Sequence, residues 1–233
     1  MIQAAVRRAF AQVILAVLVG AVTGCEKTPT GGSAPAGKSG SSGPSIPSAL
    51  PKAATRPAAP PDVLIDLEPG ELDGRTFRHK KLGLEMTFPE GWTVTLGVRD
   101  PKIPRALPLV LASERPPGTP GLFNRSVTLN VVTLKELPAA PSAPSYIEGL
   151  RNSLPLTGMQ YSFDKVEPEH KLGEYVFAAV PARLTINRNV VMQRYLARRV
   201  GDYMVEICAS FENRAAYDEL KKQVLDTLKL GAP

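Results

Sequence analysis

The chain has 233 residues, with 23 Pro, 19 Gly, two Cys and two His, and its 28 Lys+Arg against 22 Asp+Glu give a net charge of +6. Two cysteines and two histidines are too few for a zinc cage, a cluster site or a disulfide scaffold, so no metal and no cofactor is expected. At roughly 100 to 200 residues per domain, the length allows one domain with extensions.

The segment from Met1 to Arg8 carries Arg7 and Arg8 and no acid, and Ala9 to Gly24 is apolar or small apart from Gln12 and Thr23. A spanning helix needs about 20 apolar residues, so this shorter run reads as a signal peptide. It ends Val22-Thr23-Gly24-Cys25: a branched apolar residue, two small ones and a thiol. That order resembles the lipobox of bacterial lipoproteins. The resemblance implies a signal peptide over 1–24 and lipid attachment at Cys25, where acyl chains contribute about 0.8 kcal/mol per buried CH2 to membrane binding. Glu26 follows rather than Asp, which under the same resemblance favours an outer membrane, facing periplasm or cell surface, over an inner one.

Between Glu26 and Pro61 lie 8 Pro, 5 Gly, 6 Ser, 7 Ala and 3 Thr. Such a composition cannot offset its own ordering entropy and predicts a disordered tether. Asp62 to Asp73 then holds five acids and no base, readable as a short strand or ordered lead-in around Val63 to Leu67 or as further solvated linker. Residues 25–75 are thus expected to be tether and acidic lead-in, and residues 76–233 the folded domain.

Within that domain Leu84, Met86 and Phe88 alternate with Glu85 and Thr87, a period of two that predicts a strand. Pro89-Glu90-Gly91 turns the chain, and Trp92, Val94 and Leu96 resume the alternation. Leu107 to Ala112 and Val127 to Leu134 are further apolar runs. Ser142 and Pro144 open a helix through Tyr146, Ile147, Leu150 and Leu154, which Pro155 ends. Strands are expected over Gln160–Val166, Glu174–Ile186, Val190–Val200 and Tyr203–Phe211. Gly201-Asp202 supplies a two-residue turn for the last pair, setting Val200 opposite Tyr203, Leu196 opposite Ile207 and Tyr195 opposite Cys208. One face then collects Leu196, Val200, Tyr203, Val205, Ile207 and Ala209 as the core side, and the other Gln193, Arg199, Glu206 and Ser210. Asn213 caps a terminal amphipathic helix to Leu230 with the stripe Tyr217, Leu220, Val224 and Leu228. The fold class read from these elements is α+β, an antiparallel sheet flanked by helices.

The run from Gly83 through Leu-Glu-Met-Thr-Phe-Pro-Glu-Gly to Trp92, followed by strands, a helix, a meander, and a last strand entering a terminal helix, resembles the PsbP-like superfamily. The likeness covers roughly Phe77 to Leu230. It implies an α/β/α sandwich and a role in docking or assembly rather than catalysis, and it carries over no functional residue.

Chemistry-bearing residues are sparse. Cys208, the thiol left once Cys25 is acylated, has no histidine in motif context and reads as a half-buried strand cysteine. His79, within Arg78-His79-Lys80-Lys81, reads as part of a solvated basic turn, and His170 beside Glu167 and Glu169 is at most a weak metal contact. No nucleophile elbow, P-loop or dinucleotide fingerprint occurs. Residues 76–233 hold 21 Lys+Arg and 16 Asp+Glu, so the basicity belongs to the domain. Arg183, Arg188, Arg194, Arg198 and Arg199 lie on two neighbouring strands and form a candidate partner surface for an anionic envelope protein, lipid headgroup or polysaccharide. The alternative is a set of solvated arginines offset by Glu174, Asp202 and Glu206, and parity turns Arg199 away from Arg194 and Arg198. Nucleic acid is not expected for an exported domain. The expected role is a membrane-anchored, non-enzymatic binding or assembly module. The alternatives are a carrier of a small apolar or anionic ligand between sheet and helices, and an enzyme without a recognisable motif.

Overall fold

The computed structural model describes residues 64–231, apart from 102, 117–123, 136, 138 and 187–188. The signal peptide, Cys25, the tether through residue 63 and Arg188 therefore lie outside the described residues.

Two antiparallel sheets and two helices make up the described fold, which is α+β as expected. The small sheet contains β1 (Glu71–Asp73), β2 (Thr76–His79), β3 (Leu84–Thr87) and a short C-terminal strand, β12 (Lys229–Leu230), in the order β1-β2-β3-β12. After β3, the Pro89-Glu90-Gly91 turn carries the chain into the large sheet. Its strands are β4 (Thr93–Leu96), β5 (Ala106–Ser113), β6 (Ser126–Thr133), β7 (Gln160–Phe163), β8 (Glu167–Leu172), β9 (Tyr175–Ile186), β10 (Asn189–Val200) and β11 (Tyr203–Phe211). The order is β4-β5-β6-β11-β10-β9-β7, with β8 also paired to β9. The helices are α1 (Ala143–Ser153) and α2 (Arg214–Gln223).

The β10–β11 hairpin has the expected register, Val200 opposite Tyr203 and Tyr195 opposite Cys208. Gly201 takes φ +56° in its turn, a left-handed position that glycine adopts without a Cβ penalty. Alternation along these strands makes two apolar faces. Leu196, Val205, Ile207 and Ala209 pack with Phe77, Leu84 and Met86 of the small sheet and with Tyr217 and Leu220 of α2. On the opposite face, Val180, Tyr195, Ala197 and Met204 pack with Tyr146, Ile147 and Leu150 of α1. Full burial of Ile147 and Leu150 contributes about 1.5–3 kcal/mol each to holding α1 down. The layers run α1, large sheet, then small sheet with α2, the order expected of a helix-flanked sandwich.

Four details depart from the sequence reading. First, Gln193, Glu206 and Ser210 do face away from the main core, but all three are buried, Glu206 beneath Tyr146 of α1. Second, the terminal helix stops at Gln223. Leu225–Thr227 tightens into a 3-10 turn, and Lys229–Leu230 pairs with β3, where Gly231 N donates to Gly83 O at 2.6 Å. A Cβ on Gly83 would lie 2.6 Å from Gly231 Cα, so this closure needs a bare backbone. Val224 and Leu228 stay buried, so the apolar stripe is satisfied without a continuous helix.

Third, β8 is an additional strand. Its run Glu167-Pro168-Glu169-His170-Lys171 is polar and contains a proline that cannot donate to a ladder, so it carries no strand pattern. Fourth, packed chain extends upstream of the expected boundary at Thr76: of the two readings of the acidic lead-in the ordered one fits its described part, with residues 64–70 packed outside any strand and Glu71–Asp73 forming β1. Ile65 and Leu67 are buried, and Ile65 N donates to Pro104 O at 2.8 Å. Arg99 donates to Ile65 O at 2.8 Å and Leu67 O at 2.7 Å. Asp66 accepts from Lys81 and Lys135, each at 3.0 Å, and from the Tyr203 hydroxyl. His79, expected in a solvated turn, is buried beneath this strap: its Nδ1 accepts from Leu82 N at 3.3 Å, which leaves Nε2–H to donate to Glu68 O at 2.8 Å.

Candidate functional site

The polar grouping with most binding chemistry lies where β8, β9, β10 and the start of α2 meet. The β8–β9 register is Glu167 opposite Ala179 and then His170 opposite Phe177, with an irregularity between them. The shift brings the Glu167 and His170 side chains together, His170 Nδ1 standing 2.8 Å from Glu167 Oε2. Arg194 reaches both from β10: its Nη1 donates to Glu167 Oε2 at 3.1 Å and lies 3.0 Å from His170 Nδ1. Tyr217 of α2 closes the group. Its hydroxyl is 3.2 Å from His170 Nε2, and its ring stacks beneath the guanidinium, 4.8 Å from Cζ to the centroid. Phe211 supports that ring at 4.9 Å between centroids.

Burial, followed by the neighbouring Arg194 charge, lowers the His170 pKa from its ordinary 6.5, so the ring is neutral at pH 7. One nitrogen of a neutral imidazole donates and the other accepts. If Nδ1–H donates to Glu167, Nε2 accepts from Tyr217; if Nδ1 accepts from Arg194, Nε2–H donates to the phenol. Glu167 therefore accepts from Arg194 Nη1 in either tautomer, and His170 does so only when its Nδ1 is the unprotonated nitrogen. The Arg194 side chain is 11% exposed, and among the described residues its buried Nε has no hydrogen-bond partner. A buried donor without an acceptor costs about 1–3 kcal/mol, more when charged.

This group forms one wall of a groove of about 380 Å³, lined also by Asp164, Lys165, Arg183, Met192 and Arg214. Its four cations (Lys165, Arg183, Arg194, Arg214) outnumber its two acids (Asp164, Glu167). Arg183 pairs with Asp164 at 3.0 Å and Arg214 with Asp218 at 3.1 Å, all four side chains being 47% or more exposed.

Of the five arginines predicted to form a partner surface, the structure brings Arg183 and Arg194 together in this groove. Arg198 shares their sheet face but donates to Val176 O at 2.9 Å and lies over Tyr175, 5.5 Å from its ring centroid. Arg199 is exposed on the opposite side and donates to Gly201 O at 2.9 Å. Arg188 lies outside the described residues. Sequence reasoning missed Arg214 and Lys165, and it took Tyr217 only as a member of a core stripe. His170, considered for a weak metal contact, instead joins the arginine–tyrosine cluster.

A second polar group sits beneath α1. Tyr146 donates to Glu206 Oε2 at 2.8 Å and Asn130 Nδ2 to Oε1 at 3.3 Å, and burial raises the Glu206 pKa above its ordinary value. Cys208, half-buried beside it, has its thiol pushed up to about 12 by burial and by Glu206.

The chain matches no protein-family profile and no curated protein. Among solved structures it is similar to the cyanobacterial PsbP, CyanoP, of Synechocystis, at 13% identity and a TM-score of 0.47, over 70% of this chain and 98% of that one. It is also similar to LpqN of Mycobacterium tuberculosis, whose structure is described as that of a protein involved in cell envelope biogenesis, at 11% identity and a TM-score of 0.38 over 64% and 83%. A Bacteroides thetaiotaomicron protein aligns at 13% identity and a TM-score of 0.36, over 64% of this chain and 45% of that one.

Proposed function

We propose that this chain is a lipid-anchored protein of the bacterial cell envelope, on the outer membrane in preference to the inner, whose PsbP-like domain acts as a non-enzymatic binding module. The lipobox-like Val22-Thr23-Gly24-Cys25 supports the anchor. The observation that carries the binding role is Arg194: a charge held 11% exposed in an open groove, stacked on Tyr217, with a buried donor that nothing among the described residues accepts. Cations of β9 and α2 flank it, which favours a partner presenting an anionic group. A nucleophilic enzyme is a poorer reading, because the Cys208 thiol stays protonated and packs on the α1 side of the large sheet, whereas His170 is on the α2 side.

Photocrosslinking in intact cells tests the binding role. A photoreactive residue replacing exposed Lys165 on the groove wall is expected to capture a species that the same residue at exposed Arg199, on the other face, does not. Identical products from both positions, or none from the Lys165 position, would contradict the proposal.

A further inference from the structure

We infer that the groove is a binding site for a small amphipathic oxyanion, a carboxylate or a phosphate monoester carrying a short apolar body, with its head among Arg183, Arg194 and Arg214 and its body along Met192, Phe211 and Tyr217. This deepens the binding-module reading and rests on it.

Three guanidinium groups from three separate elements, β9, β10 and α2, line one groove. Planar guanidinium forks suit carboxylate and phosphate oxygens, which they bind in paired, charge-assisted hydrogen bonds. Their existing partners leave capacity. Asp164 and Asp218 meet Arg183 and Arg214 in half-exposed pairs that solvent screens, so an incoming oxyanion competes with weak contacts. Glu167 accepts from Arg194 at Nη1 with His170 beside it, and among the described residues the buried Nε has no acceptor. Arg194 keeps 11% of its side chain exposed where it lines the groove, and a ligand oxygen that meets the guanidinium there gains a charge-assisted bond. The excess of four cations over two acids favours the anion electrostatically, and the groove's aromatic and thioether wall offers nothing to a purely ionic ligand beyond its head.

The volume of about 380 Å³ falls within the roughly 300–1,000 Å³ range of small-ligand sites. It suits one charged head with a chain of a few carbons, and it is too small for an extended acidic peptide.

The test uses the full chain carrying Cys25→Ser, so that no acyl group competes for the groove. Hexanoate and hexyl phosphate are titrated against acetate and inorganic phosphate, which lack the apolar body, and against 1-hexanol, which lacks the charge. The readout is the 15N-resolved Nε–H resonance of Arg194. Either hexyl oxyanion is expected to move that resonance and to bind about tenfold or more tightly than its tail-less counterpart, while hexanol leaves it in place. Preference for one hexyl head over the other identifies the head group the site takes.

Arg194→Met should weaken hexyl oxyanion binding at least thirtyfold, and Arg183→Gln and Arg214→Gln each about three- to tenfold, whereas Arg198→Gln on the same sheet face should leave it unchanged. Because Arg194 also packs on Tyr217, the exposed pair Arg183→Gln/Arg214→Gln decides the matter if Arg194→Met fails to fold. The inference is overturned if neither hexyl oxyanion moves the Arg194 resonance, if the tail-less anions bind as tightly, or if the Arg183/Arg214 double variant binds like the parent. Loss of this binding with the Lys165 crosslinks intact removes the ligand site and leaves the module. Absent crosslinks with intact hexyl oxyanion binding do the reverse.

Discussion

The Tyr146 hydroxyl donates a 2.8 Å hydrogen bond to Oε2 of Glu206, joining the helix over one face of the large sheet to a carboxyl on its central strand. Both side chains are 1% exposed, so the bond lies in the dry layer between α1 and the sheet.

Burial raises the Glu206 pKa, so the folded state holds this proton more tightly than the unfolded state does. The associated stability is therefore fully present below the unfolded value of about 4.5 and is lost as pH rises through the folded value. His79 and His170, both lowered by burial, act with the opposite sign over this interval, so the readout is the difference between proteins: in urea unfolding from pH 5 to pH 8, the parent should lose stability, or gain less of it, relative to Glu206→Gln. Tyr146→Phe removes the donor to Oε2 and should cost about 1–3 kcal/mol. A Glu206→Gln protein whose stability changes with pH just as the parent's does would contradict this.

Cys208 should be inert. A thiol pushed up to about 12 is about one part in ten thousand thiolate at pH 8. Alkylation of the folded Cys25→Ser chain by iodoacetamide is expected to run about a thousandfold slower than that of an unstructured cysteine peptide. A comparable rate would show a thiol far more ionised than its burial allows, and would reopen the nucleophilic reading.

The docked lead-in should respond to acid through His79. Burial lowers the His79 pKa below 6.5, so its contribution is present above that value and is lost as pH falls through the lower, folded one. Protonation also removes the Nδ1 lone pair that accepts from Leu82. Asp66, held well below the usual carboxylate range by Tyr203, Lys135 and Lys81, keeps its charge over the same interval. Amide hydrogen exchange at Ile65, corrected for the intrinsic rate, should therefore accelerate between pH 7 and 5, and His79→Gln should remove that acceleration. Arg99→Ala, which deletes the donors to Ile65 O and Leu67 O, should speed the same exchange about tenfold at either pH while β6 and β11 keep their protection.

What could be read from the sequence follows physical lines. The β10–β11 register was legible because a two-residue Gly-Asp turn permits few pairings and alternation then assigns every side chain to a face. Alternation specifies the side, however, and says nothing of what covers it. Glu206, Gln193 and Ser210 look like a solvated face in sequence, yet all three are buried: Glu206 accepts from Tyr146 and Asn130, and Gln193 accepts from Tyr195 and donates to Ser210. The spacing of Tyr217, Leu220, Val224 and Leu228 predicts a buried stripe, and all four are buried, but helical spacing cannot report that the chain tightens after Gln223 to pair with β3.

The groove was half legible. Arg183 and Arg194 stood out as strand arginines, whereas Arg214, Tyr217 and Glu167 come to them only through tertiary contacts. The one local cue was the Glu167–His170 spacing, which by itself pointed as readily to a metal contact.

The most direct test of the account concerns the anchor, because a binding domain held at a membrane requires Cys25 to be acylated. Detergent phase partitioning of membranes from cells expressing the parent chain and Cys25→Ser, with mass measurement of the mature N-terminal peptide, reads this in one experiment. The account predicts that the parent enters the detergent phase with an acyl-bearing Cys25 at its N-terminus, and that Cys25→Ser is released to the aqueous phase. Equal detergent partitioning of the two proteins, or an unmodified Cys25 in the parent, would contradict it.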